Sequence, residues 1–254
     1  MNGKIDYMLS IFHRSKYLVD LIEGMPDFHN HTLPGIDDGS DSIDTSRELF
    51  KGYSEIGIDH IVATPHIIGE FYPNTSKSIG EAFKKVKEAK AGPKNFSFAA
   101  EYMMDQHFLE ILANDDVLTV TDNKVLVEMS YFQAPINLTQ ILFKLQNSSK
   151  VPILAHPERY TYMHSKDLSK FHDLRTRGCL MQVNMLSLSN HYGKSIQKMA
   201  YQLIEAGLID YLCSDVHKIS HLEKIKEIKI PTKYVQNITT ISANNRELLQ
   251  QHFN

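Results

Sequence analysis

Seven short apolar runs recur along this chain, and most of them carry a histidine or a carboxylate at or just past their carboxyl end. They fall at residues 26–31, 60–64, 96–101, 125–129, 152–155, 180–184 and 211–214. Stretches with helical periodicity intervene at 42–56, 77–90, 138–145, 166–177 and 196–206. Strand and helix patterns in alternation predict βα units and a parallel arrangement. Gly57, Gly178 and Gly207 follow helical stretches, as C-terminal capping residues would. Seven such strands predict an α/β fold in which a distorted, TIM-like (β/α)7 barrel forms the body.

The barrel reading gives the ionisable residues a common address. His29, His31, His66, Glu101, Glu128, His156, Asp215 and His217 each lie at or just past the carboxyl end of a run. In parallel α/β barrels the loops converge on that rim, which is where active sites form. His29 and His31 are two apart, so in an extended segment their imidazoles share a face and can grip one cation. Glu101 and Glu128 could instead be salt-bridge partners, but either way buried acids require a cation.

With 254 residues, 42% hydrophobic and 22% charged, the chain can build one large core. Its formal net charge of -3 comes with no basic run, which argues against nucleic acid or an anionic membrane as partner. Cys179 and Cys213 are too few for a disulfide framework. Neither opens a C-x5-R loop, because Met185 and Ile219 stand where the arginine would be, so thiol-based phosphatase chemistry is excluded. The first residues show no secretory pattern and no run approaches membrane-spanning length, so the expected location is cytoplasmic, without membrane insertion. Met8, Ile11, Phe12, Leu18, Val19 and Ile22 recur at helical spacing. They predict a helical extension over 1–24 ahead of a catalytic domain over 25–254. Such a stripe would plug the barrel floor, or serve a partner or homo-oligomer contact.

Four short sequences stand in order: Asp27-Phe28-His29-Asn30-His31 with Asp37-Asp38-Gly39, Ala63-Thr64-Pro65-His66, Ala155-His156-Pro157-Glu158-Arg159-Tyr160, and Cys213-Ser214-Asp215-Val216-His217. With these motifs the chain resembles the PHP-domain proteins, the polymerase and histidinol phosphatase superfamily. More narrowly, residues 29–39 are similar to the manganese-dependent protein-tyrosine phosphatases of bacterial capsule and exopolysaccharide loci. The resemblance spans roughly residues 25 to 220.

It implies three divalent metal ions, with manganese first and iron or zinc as alternatives, since imidazoles count against magnesium or calcium. The implied ligands are His29, His31, Glu101 and Asp215 for one ion, Glu101, Glu128 and His156 for a second, and Asp38, His66 and His217 for a third. Glu101 would bridge two ions, and Arg159 and Glu101 would be the catalytic residues. Cations in that number leave positive charge after four carboxylates, which a phosphate monoester dianion would balance. The implied chemistry is attack on phosphotyrosine by a metal-activated hydroxide. Arg159 would grip the phosphoryl oxygens.

The implied substrate is a phosphotyrosyl protein, in particular a bacterial tyrosine autokinase of polysaccharide synthesis. A small phosphomonoester such as histidinol phosphate, or a non-catalytic metal-stabilised regulatory module, are the competing readings. Lys218 follows His217 where such phosphatases tend to carry an arginine. Asp37 reads as an Asx turn before Gly39. Tyr72, Tyr102, Phe132 and Tyr160 are candidates for the wall of an aromatic slot. The other histidines, His191 and His221 among them, read as surface or satisfied residues.

Overall fold

The computed structural model describes residues 15–250. Its elements are β1 (Ser15–Tyr17), α1 (Val19–Ile22), α2 (Ile43–Glu55), β2 (His60–Ala63), β3 (His66–Ile67), α3 (Ser76–Glu88), β4 (Asn95–Phe98), β5 (Glu101–Met103), α4 (Gln106–Ala113), β6 (Lys124–Glu128), α5 (Leu138–Asn147), β7 (Val151–Ala155), α6 (Ser169–Thr176), β8 (Leu180–Asn184), α7 (Lys194–Glu205), β9 (Tyr211–Cys213), α8 (Ile219–Lys226), β10 (Lys229–Pro231) and α9 (Thr232–Gln250). The expected alternation of strand and helix is present, with short 3-10 turns after β7 and β8.

Six parallel strands run in the order β3-β5-β6-β7-β8-β9, and β2 pairs with β4 as a separate parallel couple. β2 and β4 lead into β3 and β5 across short breaks at Thr64-Pro65 and Ala99-Ala100. Proline has no N–H to give a ladder. Its carbonyl still accepts from the Glu101 amide at 3.0 Å, and the Ala63 carbonyl accepts from Ala99 at 2.8 Å. The stretch expected as one strand over 96–101 is therefore two.

The gap between β9 and β2 is spanned by residues 27–31. These form single parallel bridges, Asp27 to Ile61 on one side and Asn30 to Val216 on the other, rather than the strand expected over 26–31. Backbone bonds from Val62 to Asp27, Thr64 to Asn30, Asp215 to His29 and His31 to Val216, all 2.8–2.9 Å, tie this seam to both neighbours. Residues two apart share a face of this extended seam, so His29 and His31 both turn toward the rim.

Amphipathic helices cover the outside. α2 buries Leu49, Phe50 and Tyr53, and α3 buries Ile79, Ala82 and Val86. Ser42 caps α2 by accepting from the Thr45 amide at 3.2 Å, and Asp105 caps α4 by accepting from Phe108 at 2.8 Å. Gly57, Gly178 and Gly207 have φ of 78°, 74° and 68°, the left-handed geometry of helix ends. A second apolar cluster takes Phe28, Val62, Ala99, Leu126, Ile153, Ala155 and Cys213. Period-two alternation puts Leu126 on the face of Glu128, so this cluster floors the rim site.

Among the described residues the floor is joined by Leu249 of α9, while Leu18, Val19 and Ile22 of the amino-terminal stripe pack in the other cluster. Met8, Ile11 and Phe12 lie outside the described residues. Of the rest of that stretch, Ser15–Tyr17 is a strand antiparallel to β10 rather than helix. Leu18 and Ile22 are buried in the outer core with the barrel helices.

Candidate metal centre

All nine residues expected as metal ligands meet at the rim. His29, His31 and Glu101 are fully buried, and Glu128, His156 and Asp215 nearly so. His29 Nε2 stands 3.1 Å from Glu101 Oε1 and 3.4 Å from Asp215 Oδ1. His31 Nε2 lies 3.3 Å from Asp215 Oδ1. His156 Nε2 is 3.2 Å from Glu101 Oε1, and His66 Nδ1 is 3.0 Å from Glu101 Oε2 and 2.9 Å from Glu128 Oε1. At the mouth, half-exposed Asp38 approaches His217 Nε2 at 3.3 Å and His66 Nε2 at 3.6 Å.

These atoms form four overlapping sets that could each hold a cation: His31, Asp38, His66 and His217; His29, His31 and Asp215; His29, Glu101 and His156; His66, Glu101 and Glu128. Glu101 belongs to two sets, as a bridging carboxylate would. The implied trio of Glu101, Glu128 and His156 is divided: His156 joins His29, and Glu128 joins His66.

The donors fit divalent cations on physical grounds. His29 Nε2, His31 Nε2, His66 Nδ1, both Glu101 oxygens and Glu128 Oε1 are hidden from solvent and make no hydrogen bond. Orphaned buried polar atoms cost several kcal/mol unless something satisfies them. Six such atoms converging from imidazoles and carboxylates suit a borderline metal.

Neighbouring groups aim the imidazoles. His29 Nδ1 donates to Gln182 Oε1 at 2.7 Å, and His31 Nδ1 donates to Asp37 Oδ2 at 2.7 Å, leaving each Nε2 lone pair facing the centre. Asp37 Oδ1 accepts from the Gly39 amide at 3.0 Å, so the Asx turn expected there also orients a histidine. A Cβ on Gly39 would lie 2.1 Å from the His31 carbonyl oxygen, so no larger residue fits. His156 and Asp215 have φ of 36° and 52°. Such backbone persists only where surrounding structure enforces it, and here it sets two of the rim side chains. Asp27 is no part of the centre: it accepts from Tyr53 Oη at 2.7 Å and from the Ser214 amide at 3.1 Å, anchoring the seam.

Electrostatics follow from this crowding. Burial alone would depress His29, yet Glu101 and Asp215 overcome it and raise its pKa to about 9. His31 is likewise lifted against burial, by Asp37 above all, to about 10. Glu101 is held well below the usual carboxylate range because His29 and His66 outweigh its desolvation. Protons and divalent cations therefore compete for the same nitrogens.

Above the centre lies a cleft of about 310 Å³, walled by His66, Tyr72, Tyr131, Phe132, Arg159 and His217 among others. Arg159 Nη1 donates to Asp215 Oδ2 at 2.9 Å. Glu158, its alternative partner, is buried and accepts from the Asn184 amide instead. Tyr72 and Phe132 are on the wall as expected. Tyr102 and Tyr160 are not: both are fully buried, with Tyr102 Oη accepting from the Leu118 amide and Tyr160 Oη from the Met129 amide. A slot needs exposed rings, and these two spend theirs on the core. His221 Nδ1 accepts from the His217 amide at 3.4 Å, a satisfied residue as read. Gln182, Asn184, Tyr131 and Tyr192 were not singled out by the motifs. Only the place of Gln182 and Asn184 on β8 hinted at them.

A parallel α/β barrel with a shared histidine and carboxylate centre at its carboxyl rim defines a metallohydrolase type of architecture. Residues 25–249 match the family described as capsular polysaccharide synthesis, CpsB/CapC, and the chain belongs to that family. It is 29% identical over 201 residues to CapC of Staphylococcus aureus, covering 78% of each chain. It is 29% identical over 199 residues to the tyrosine-protein phosphatase YwqE of Bacillus subtilis, covering 77% of this chain and 78% of that one. With the tyrosine-protein phosphatase CpsB of Streptococcus pneumoniae it shares 28% over 208 residues, 77% of this chain and 84% of the other. A solved structure from the pair YwqE and CpsB, described as unique metal-dependent tyrosine phosphatases, superposes with a TM-score of 0.73 at 23% identity, covering 89% of this chain and 94% of that chain.

Proposed function

We propose that this chain is a metal-dependent protein-tyrosine phosphatase whose substrate is a phosphotyrosyl protein. The observation that carries it is Glu101: both carboxylate oxygens are buried without a hydrogen bond, with His29, His31, His66 and His156 aimed at them. Membership of a family whose named relatives are tyrosine-protein phosphatases supports the same activity.

His29, His31, Asp38, His66, Glu101, Glu128, His156, Asp215 and His217 would hold three divalent cations, manganese first, with iron or zinc as alternatives. When bound, such ions supply Lewis acidity and a water of lowered pKa. Gln182 and Asp37 keep the histidine lone pairs inward. Arg159 offers N–H groups to the phosphoryl oxygens, where a planar fork suits a tetrahedral dianion. Tyrosine leaves with a pKa of about 10, so no dedicated acid is required to protonate it.

A protein substrate is favoured over a small phosphomonoester such as histidinol phosphate by the rim. Phe132, Phe71 and Ile136 are 93%, 77% and 100% exposed on the loops after β6 and β3. Exposed apolar groups beside a site mark a surface that meets another chain. A bacterial tyrosine autokinase of polysaccharide synthesis fits the family's description. Among the described residues no helix is long and apolar enough to cross a membrane, which accords with action in the cytoplasm. We assign residues 25–254 to the phosphatase domain, a boundary supported by the family match beginning at residue 25.

The test is phosphate release from a phosphotyrosyl peptide with and without manganese. Release should require metal, vanish in His156→Ala, and show a higher specificity constant than histidinol phosphate. A fully active His156→Ala would remove the proposed site, and a preference for histidinol phosphate would move the substrate class.

A further inference from the structure

Tyr192 lies in the turn between β8 and α7, remote in sequence from every motif at the rim. Its ring centroid is 4.3 Å from the Arg159 guanidinium carbon, and that guanidinium also lies over Tyr131 at 4.6 Å. Asp215 Oδ2 engages only Nη1 of the arginine, and among the described residues the remaining N–H groups make no hydrogen bond. Arginine carries substantial rotamer entropy, which must be given up before its fork can meet a ligand. A carboxylate on one nitrogen leaves that fork free to swing. Two aromatic faces fix its plane, and cation–π attraction of a partly desolvated guanidinium is strong enough to do so.

Tyr192 is itself held in place. Asn184 Nδ2 reaches its hydroxyl at 3.4 Å and donates to Asp215 Oδ2 at 2.8 Å, and the His191 ring meets it edge-on at 4.5 Å. The tyrosine, the arginine and the carboxylate are thus connected through one amide.

We propose that Tyr192 is a positioning residue for phosphate: with Tyr131 it holds Arg159 with the unpaired N–H groups presented to the cleft. This rests on the phosphatase reading for the identity of the anion, but it can be tested by binding alone.

The experiment is calorimetric titration of inorganic phosphate into manganese-loaded protein, for the natural sequence, Tyr192→Leu, Tyr192→Phe, Arg159→Gln and the Arg159→Gln/Tyr192→Leu double variant, each with metal content measured. Tyr192→Leu should weaken phosphate roughly tenfold. Tyr192→Phe, which keeps the ring, should stay within about twofold, and Tyr192→Leu should have no further effect once Arg159 is gone. Tyr131→Leu, at a 42% exposed position where truncation leaves the core intact, should show the same dependence on Arg159. An equal loss in both backgrounds, an unaffected Tyr192→Leu, or no phosphate binding by the natural sequence would overturn the proposal. If the binding pattern holds but phosphotyrosyl peptide is never hydrolysed, the clamp stands and the phosphatase reading fails. If hydrolysis proceeds with an additive cycle, the reverse follows.

Discussion

Arg159 and Asp215 are joined at 2.9 Å through Oδ2 of the carboxylate, while Oδ1 of the same group stands 3.3 Å from His31 Nε2 and 3.4 Å from His29 Nε2. One side chain therefore ties the arginine proposed to bind phosphate to the candidate metal centre. Asp215→Asn should strike both: we expect loss of bound metal and a fall in kcat/KM of about a hundredfold or more, the scale for removing preorganised charge from a site. Arg159→Lys should lose roughly tenfold or more in turnover with metal content unchanged, because a point charge does not replace a fork. Element analysis beside peptide kinetics separates the two.

Gln182 does not line the cleft, yet its Oε1 fixes the tautomer of His29 at 2.7 Å. Replacement by leucine keeps the volume and removes the acceptor. Metal affinity should drop by roughly ten- to a hundredfold, as for other partners of ligating histidines. Competition with a chelator would measure it, and a variant with undiminished affinity would show that the amide is idle.

The pH dependence has a definite sign. His29 and His31 have pKa values raised to about 9 and about 10 in the folded, metal-free protein, against an ordinary value near 6.5. Their protonated forms are thus favoured by folding. That stability is fully present below about pH 6.5 and is lost as pH rises through about 9 and 10. Metal-stripped protein should melt at progressively lower temperature over this window, whereas metal-loaded protein, its histidines already deprotonated, should not follow. Metal uptake at pH 7 should release protons, detectable by weakly buffered titration.

Gly39→Ala would place a methyl group 2.1 Å from the His31 carbonyl oxygen. The clash is with backbone, so the loop carrying Asp38 must move. Destabilisation of about 2 kcal/mol or more and weaker metal retention should follow, read by denaturant midpoint and element analysis.

Phe132 is 93% exposed, so Phe132→Ala should leave stability within about 0.5 kcal/mol. Kinetics with p-nitrophenyl phosphate should barely change, while kcat/KM for a phosphotyrosyl protein should fall severalfold. Equal effects on both substrates would mean that the ring serves the small substrate's pocket and not a docking rim.

The barrel and its rim were legible because each βα unit advertises itself: an apolar run, a charged terminus, then a helical pattern. Histidine and carboxylate at a strand end are costly without a cation, so their recurrence carried position and chemistry together. The partition among cations was not legible, because spacing assigns residues to a rim and not atoms to ions. His66, with Nε2 toward Asp38 and Nδ1 toward Glu101 and Glu128, belongs to two sets at once. The seam over 27–31 read as a strand because its bridges satisfy both neighbours without a ladder. α9 was missed because its Thr, Asn and β-branched Ile residues have weak helix propensity, and packing of Ile238, Ile241 and Leu249 overrides it. Gln182 and Tyr192 carry no metal-ligand signature and gain their roles only from the folded arrangement.

Metal stoichiometry by element analysis of the natural sequence and of Glu101→Gln, after dialysis against manganese, bears most directly on the shared-cation centre. Three ions per chain in the first and loss of the bridged ions in the second are the expected result. A natural sequence that retains no cation, or a Glu101→Gln chain that retains the full complement, would contradict it.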